Sequence, residues 1–342
     1  MRYNPKARLD RSQVRVRGRS GGRSSGGGLG GLGGGGLGGG GLGGSRLPIP
    51  VGGGGRMGCG GFALMAIVVV VLLATGGLGG LLGGGGGATS GGPFGGYSAP
   101  GAGAVDDTGV TGLTQCRSGE DANTDRSCAL LADVNSVQAF WEQVLPDQAG
   151  TEYEPAVTNF FTDSVDTGCG PATSDTGPFY CPADGGVYLD IRFFDAMLEG
   201  QLGAEGGPFS EAYVLAHEYG HHVQDLLGTM AEVRTQQGET SDAVRLELQA
   251  DCYAGMWTKF ATEVEDENGE VFILDLTQDD IDRALDAAAA VGDDRIQAKS
   301  GRVNPETWTH GSAQARQHWF SVGLEEGTVE ACDTFSAADL DG

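Results

Sequence analysis

Apolar residues recur at helical spacing in several stretches of the last two thirds of the chain. Val137, Phe140, Trp141 and Val144 fall on one face and predict a helix over Val134–Leu145. The same period predicts helices over Ser210–Leu227, Ser241–Thr262, Gln278–Ala290 and Ala313–Leu324, with Ser210, Ser241, Thr277 and Ser312 as N-caps. Val157–Phe161 and Gly186–Ile191 read as strands. Strands precede most of the helices, which favours an α+β fold.

The first 110 residues follow neither period and hold 41 of the 64 glycines. Gly18–Gly55 is almost entirely Gly, Leu, Ser and Arg, too rich in glycine to offset its own ordering entropy. Phe62–Thr75 is a charge-free apolar run, extended by glycine-rich sequence to about 20 residues, enough to cross a bilayer core. Four parts are therefore expected: a basic, glycine-rich disordered cytoplasmic tail (1–60), a transmembrane helix (61–83), a Gly/Ser/Pro linker (84–110) and one folded domain (111–342). A cleaved signal peptide is the alternative reading of the apolar run.

Charge sets the expected orientation. Residues 1–60 carry ten Lys/Arg and one acid, Asp10, a net +9, which leaves the remaining 282 residues at −34. The positive-inside bias puts the N-terminus in the cytoplasm and the acidic domain outside, on a single-pass protein held to membrane lipid by one helix. A body at −34 repels phosphate and excludes nucleic acid as its partner. Of seven cysteines, Cys59 precedes the apolar run and six lie in the domain. Six permit fifteen pairings. The two short loops, Cys116–Cys128 and Cys169–Cys181, are favoured, which leaves Cys252 with Cys332. Disulfides suit the oxidising side of a membrane.

The candidate chemistry lies in His217-Glu218-Tyr219-Gly220-His221, an H-E-x-x-H string inside a predicted helix. Residues four apart share a helix face, so His217 and His221 can turn both imidazoles toward one metal ion. Glu218 is placed to accept a proton from a water on that ion. A three-ligand zinc site needs one more donor. Leu227 stands where a third histidine would follow in a metzincin, so a carboxylate is required. Glu247, Asp225, Glu232 and Glu239 all remain open; Glu247 is paired with Asp251 four residues on, which would orient a ligand imidazole. His222 lies about 100° round the helix from His221 and reads as a neighbour of the site. His310, just before a helix, is a possible hydrogen-bond donor to an oxyanion. Asp121-Ala-Asn123-Thr-Asp125 imitates the start of a calcium loop but lacks its glycine, and reads as an Asx-rich turn.

These strings resemble the bacterial neutral zinc metallopeptidase family, single-span membrane proteins with an exported zincin-like domain. The likeness runs through Cys169-Gly-Pro171, Gly177-Pro-Phe-Tyr-Cys-Pro-Ala-Asp184, the histidine helix, Glu247-Leu-Gln-Ala-Asp-Cys-Tyr-Ala-Gly-Met-Trp257, Thr309-His-Gly-Ser312 and Cys332-Asp-Thr-Phe335. It implies an HExxH active-site helix, one zinc per chain held by His217, His221 and Glu247, and Glu218 as catalytic acid/base. It implies hydrolysis of peptides or proteins. The long Gly/Leu tract is outside the family pattern. A zinc-stabilised envelope scaffold or chaperone without turnover is the alternative.

Overall fold

Residues 1–17 and 113–342 are described by the structure, a computed structural model. Strands β1 (Arg2–Tyr3) and β2 (Val14–Arg17) open the chain, followed by helices α1 (Gly119–Ala122) and α2 (Arg126–Ala149). Then come β3 (Val157–Phe161), the hairpin β4 (Ser164–Thr167) and β5 (Gly170–Thr173), β6 (Phe179–Cys181) and β7 (Gly186–Asp190). After a π-helical segment, Phe194–Glu199, come α3 (Pro208–Leu226), α4 (Asp242–Phe260), β8 (Ile273–Asp275), α5 (Gln278–Ala290), α6 (Asp293–Ala298) and α7 (Ala313–Glu326).

The main sheet has the order β2-β3-β7-β6, with β2, β3 and β7 parallel and β6 antiparallel. Alternation along its strands separates two apolar layers. Phe160, Tyr180, Val187 and Leu189 face the principal core under α3, whereas Phe161, Phe179 and Tyr188 face a smaller cluster that includes Val165 and Ala172 of the β4–β5 hairpin. The helix α3 is tied to the sheet by a hydrogen bond of 2.8 Å between the Tyr219 and Thr158 hydroxyls. On its other side α3 packs on α4, and α4 packs on α7. A Cβ on Gly323 would stand 1.9 Å from the Cys252 carbonyl, and one on Gly255 would stand 2.1 Å from that of Phe320. Two glycines therefore let the α4 and α7 backbones touch.

Several expectations need correction. The strands do not form a separate early block: the sheet is mixed, and helices α1 and α2 lie in the chain between its parallel strands β2 and β3. The fold is mixed α/β rather than the segregated α+β form. Residues 1–17 are not a disordered tail. Tyr3, Ala7, Leu9 and Val14 enter the principal core, and β2 adds the outer parallel strand to β3. The basic residues of this segment meet acids of the body, Arg2 with Asp275 at 2.7 Å and Lys6 with Glu270 at 3.8 Å. The charge asymmetry at this end thus serves intramolecular complementarity. No described helix is long and apolar enough to cross a membrane, and the span expected over 61–83 lies outside the described residues, as does the 84–110 linker. Finally, Ser210 is not an N-cap, because α3 starts two residues earlier, with Pro208 in its first turn and Gly207 as cap.

Ser241, Thr277 and Ser312 do cap α4, α5 and α7, each accepting a backbone N–H from its own helix. The cysteines pair as 116–128, 169–181 and 252–332, with Cα separations of 5.1, 5.8 and 5.6 Å.

Candidate active site

Three side chains from two helices converge at the centre of the molecule. His217 and His221 project from α3, one turn apart, and Glu247 comes from the first half of α4. Their ligand atoms all lie within 4.8 Å of one another, and all three residues are buried. The crossing is close because Gly220 sits between the histidine turns: a Cβ there would stand 3.0 Å from the Ala250 backbone. Asp225 instead accepts a hydrogen bond from Tyr180 Oη, and Glu232 and Glu239 are exposed. Glu247 is the carboxylate at the site.

The outer nitrogens of both imidazoles are held. His217 Nδ1 lies 2.9 Å from Asp251 Oδ1, and His221 Nδ1 lies 2.8 Å from Gln224 Oε1. A carboxylate and an amide oxygen only accept, so each Nδ1 carries the proton and donates it. Each Nε2 then offers a lone pair, at 3.2 Å and 3.5 Å from the two oxygens of Glu247. Acceptors facing acceptors at this range call for a cation or a proton between them. Two imidazole nitrogens and one carboxylate oxygen form a donor set that zinc takes in three-ligand sites, so the residues fit the metal. The electrostatics agree. Burial opposes charge on His217, yet Asp251 and then Glu247 outweigh it and push its pKa up to about 9. Burial likewise disfavours the Glu247 carboxylate, but His221 and His217 hold its pKa well below the usual range.

Asp251 is braced on every side. Arg316 of α7 donates to it twice, Nε to Oδ2 at 2.7 Å and Nη2 to Oδ1 at 2.9 Å, and Tyr213 Oη donates at 2.5 Å. Gln224, which holds His221, donates to the Leu246 carbonyl and to Gln249, and Gln249 donates to the Cys332 carbonyl. Glu218 is 3 % exposed and lines a cleft together with His217, His310 and Arg316. Burial raises its pKa, against the pull of both imidazoles. His310 is buried at the same cleft, its Nδ1 2.8 Å from Thr309 Oγ1, while Asp293 Oδ2 accepts the backbone N–H groups of residues 309, 310 and 311. His222 faces away from the metal ligands, bonded to the Glu154 carbonyl and near Tyr180 Oη. Asp125 caps α2 beside the Cys116–Cys128 bridge, and Asp121 closes the turn before α1, so the calcium-like string is a structural turn.

Sequence reasoning missed Gln224, Arg316, Tyr213 and Asp293. Gln224 follows His221 by three positions and so shares its helix face, a signal present in the sequence. Arg316 and Asp293 carry no local signal, since only the folded chain brings them to the site.

Two histidines one turn apart, with a carboxylate supplied by the next helix and a glutamate beside the first histidine, define an HExxH metal site of the zinc type. The chain matches the family described as putative neutral zinc metallopeptidase over residues 6–335, and it belongs to that family. It is similar to the uncharacterized protein Rv2575 of Mycobacterium tuberculosis (strain ATCC 25618 / H37Rv), with 52% identity over 231 residues, 67% of this chain and 77% of that protein. It is also similar to the uncharacterized protein YpfJ of Escherichia coli (strain K12), with 43% identity over 202 residues, 57% of this chain and 66% of that protein. No solved structure matches the chain, so the zincin-like architecture expected from the resemblance has no structural counterpart to support it.

Proposed function

We propose that the protein is a zinc-dependent peptidase that works outside the cytoplasm and hydrolyses peptide bonds with water. The observation that carries this reading is the convergence of His217, His221 and Glu247 within 4.8 Å beside the buried carboxylate of Glu218. Zinc held by these three residues would polarise a peptide carbonyl and make water nucleophilic near neutral pH. Glu218 takes the proton from the attacking water and delivers it to the leaving amine, and a pKa raised by burial suits both transfers. Asp251 fixes the tautomer and orientation of His217, as Gln224 does for His221. With Nδ1 engaged by Thr309, Nε2 is the atom through which His310 donates to the oxyanion that forms on the carbonyl. Three disulfides support an oxidising compartment for this reading.

The test is zinc content and peptide cleavage measured side by side on the full chain. The wild type should hold about one zinc and cut a peptide mixture. Glu218→Gln should keep the zinc and lose roughly 10²-fold or more in rate. Paired substitution of His217 and His221 by Ala should release the metal. Zinc bound with no cleavage by the wild type would overturn the peptidase and leave a zinc-stabilised scaffold.

A further inference from the structure

The cleft beside Glu218 is lined by two unlike sets of side chains. One is the polar groups of the site, His217, Glu218, His310 and Arg316. The other is a set of apolar side chains from three parts of the fold. Phe193, Met197 and Leu202 come from the π-helical segment and its flanks, Val214 from α3, and Val291 and Ile296 from the α5–α6 junction. Each of these side chains is buried or half-buried yet borders the cavity. Of the charged residues that line it, Asp175 stands exposed, Arg316 is committed to Asp251, and Glu218 is the carboxylate of the reaction itself. A charged or strongly polar group seated against the apolar side chains would lose water and gain no partner from them.

Position ties this chamber to the reaction. Val214 precedes His217 by three residues and Glu218 by four, so all three share one face of α3. One helical turn, about 5.4 Å, therefore separates the apolar wall from the carboxylate that handles the proton. The cleft is open to solvent, so a substrate side chain can enter it from its mouth.

We infer that this chamber is a specificity pocket that seats a large apolar side chain of a peptide substrate, at a residue next to the bond that is cut. The inference rests on the peptidase reading and adds the class of substrate to it. Val214, one helical turn from Glu218, and Met197 and Ile296, which line the same cleft from two other parts of the fold, are the residues that set the preference.

The experiment uses the full-length, zinc-loaded protein and blocked hexapeptides that differ at one central residue, Phe, Leu, Ala, Asp or Lys. Cleavage by the wild type is followed by mass spectrometry, and binding to Glu218→Gln by calorimetry. Phe and Leu peptides should be cut, and should bind, at least about tenfold better than Asp and Lys peptides. In Val214→Trp, which fills the chamber from a half-buried position, the Phe-over-Ala ratio should fall about tenfold, with zinc content unchanged as the check on folding. Cleavage without any preference for Phe or Leu would overturn the pocket and leave the peptidase standing. Selective binding of Phe and Leu peptides with no cleavage would overturn the peptidase and leave the pocket standing. Neither binding nor cleavage would overturn both.

Discussion

Asp251 receives hydrogen bonds from His217, Tyr213 and Arg316 while almost wholly shut off from water. Burial disfavours its charge, but the Arg316 guanidinium and His217 more than compensate, and its pKa falls below the usual carboxylate range. An ionised acceptor there keeps the His217 proton on Nδ1 and its lone pair on Nε2, the arrangement a metal requires. Asp251→Asn should therefore weaken zinc binding by roughly 10- to 100-fold, although Asp251 is no ligand. A zinc competition titration reads this directly, with Glu218→Gln as the variant that should bind as wild type does. Equal affinity in Asp251→Asn would show that His217 orients itself without help. The same residues show what was legible in the sequence. His217 and His221 are readable because a spacing of four fixes one helix face whatever the fold. Glu247 is one acid among four candidates until the α3–α4 crossing selects it. Arg316 lies 65 residues beyond the Asp251 it braces, so no local pattern could announce it.

At the level of elements, the pattern of apolar residues located the long helices and the strands Val157–Phe161 and Gly186–Asp190, the strands as short, almost wholly buried runs between the two apolar layers of the sheet. It under-read α2, whose ends are set by the Asp125 cap and the left-handed Gly150, outside the apolar stripe used to find it. It passed over β1 and β2, which are short and owe their pairing to partners far along the chain. That docking has a titrating lock. Tyr3 Oη donates to both oxygens of Asp133 on α2, at 2.9 and 3.1 Å, where Asp133 is 1 % exposed. Burial pushes the Asp133 pKa well above the usual range, the Tyr3 bond only partly opposes it, and the Glu211 carboxylate adds to the rise. A folded-state pKa raised in this way gives stability that is fully present below the unfolded value of about 4 and is lost as pH rises through the folded value. Asp133→Asn accepts the same hydrogen bond and stays neutral throughout. Its unfolding free energy relative to wild type should climb with pH from about 4 upward, followed by urea denaturation across a pH series. A difference that stays flat with pH would mean that Asp133 ionises in the fold at no cost.

For the whole molecule, part of the basic head is a binding partner for the acidic body, and no single-sequence pattern separates this use of charge from a topology signal. Long-range closure was more accessible, through the cysteines. The bridge from Cys252 to Cys332 spans 80 residues and ties α4, which carries Glu247 and Asp251, to the end of the chain. A second connection runs beside it: Gln249 donates to the Cys332 carbonyl and shares its amide oxygen with Gln224, which holds His221. Replacing both Cys252 and Cys332 by Ser should thus act twice. The unfolded chain regains a large loop, at a cost on the order of 4 kcal/mol less any native strain. The freed C-terminal turn also loosens Gln249 and Gln224, so zinc affinity should fall along with the unfolding midpoint. The matched control is the bridge over 12 residues, Cys116–Cys128, which ties the segment before α1 to the first turn of α2, neither of which carries a metal ligand. Its removal should cost about 3 kcal/mol and leave zinc affinity unchanged. Both pairs of variants are measured by urea unfolding and by zinc competition in the same buffer. If removing Cys252–Cys332 lowers stability yet spares zinc binding, the glutamine relay holds His221 without the bridge. If both double variants lose zinc alike, the metal site responds to global stability alone, and the path from Cys332 to His221 has no separate role.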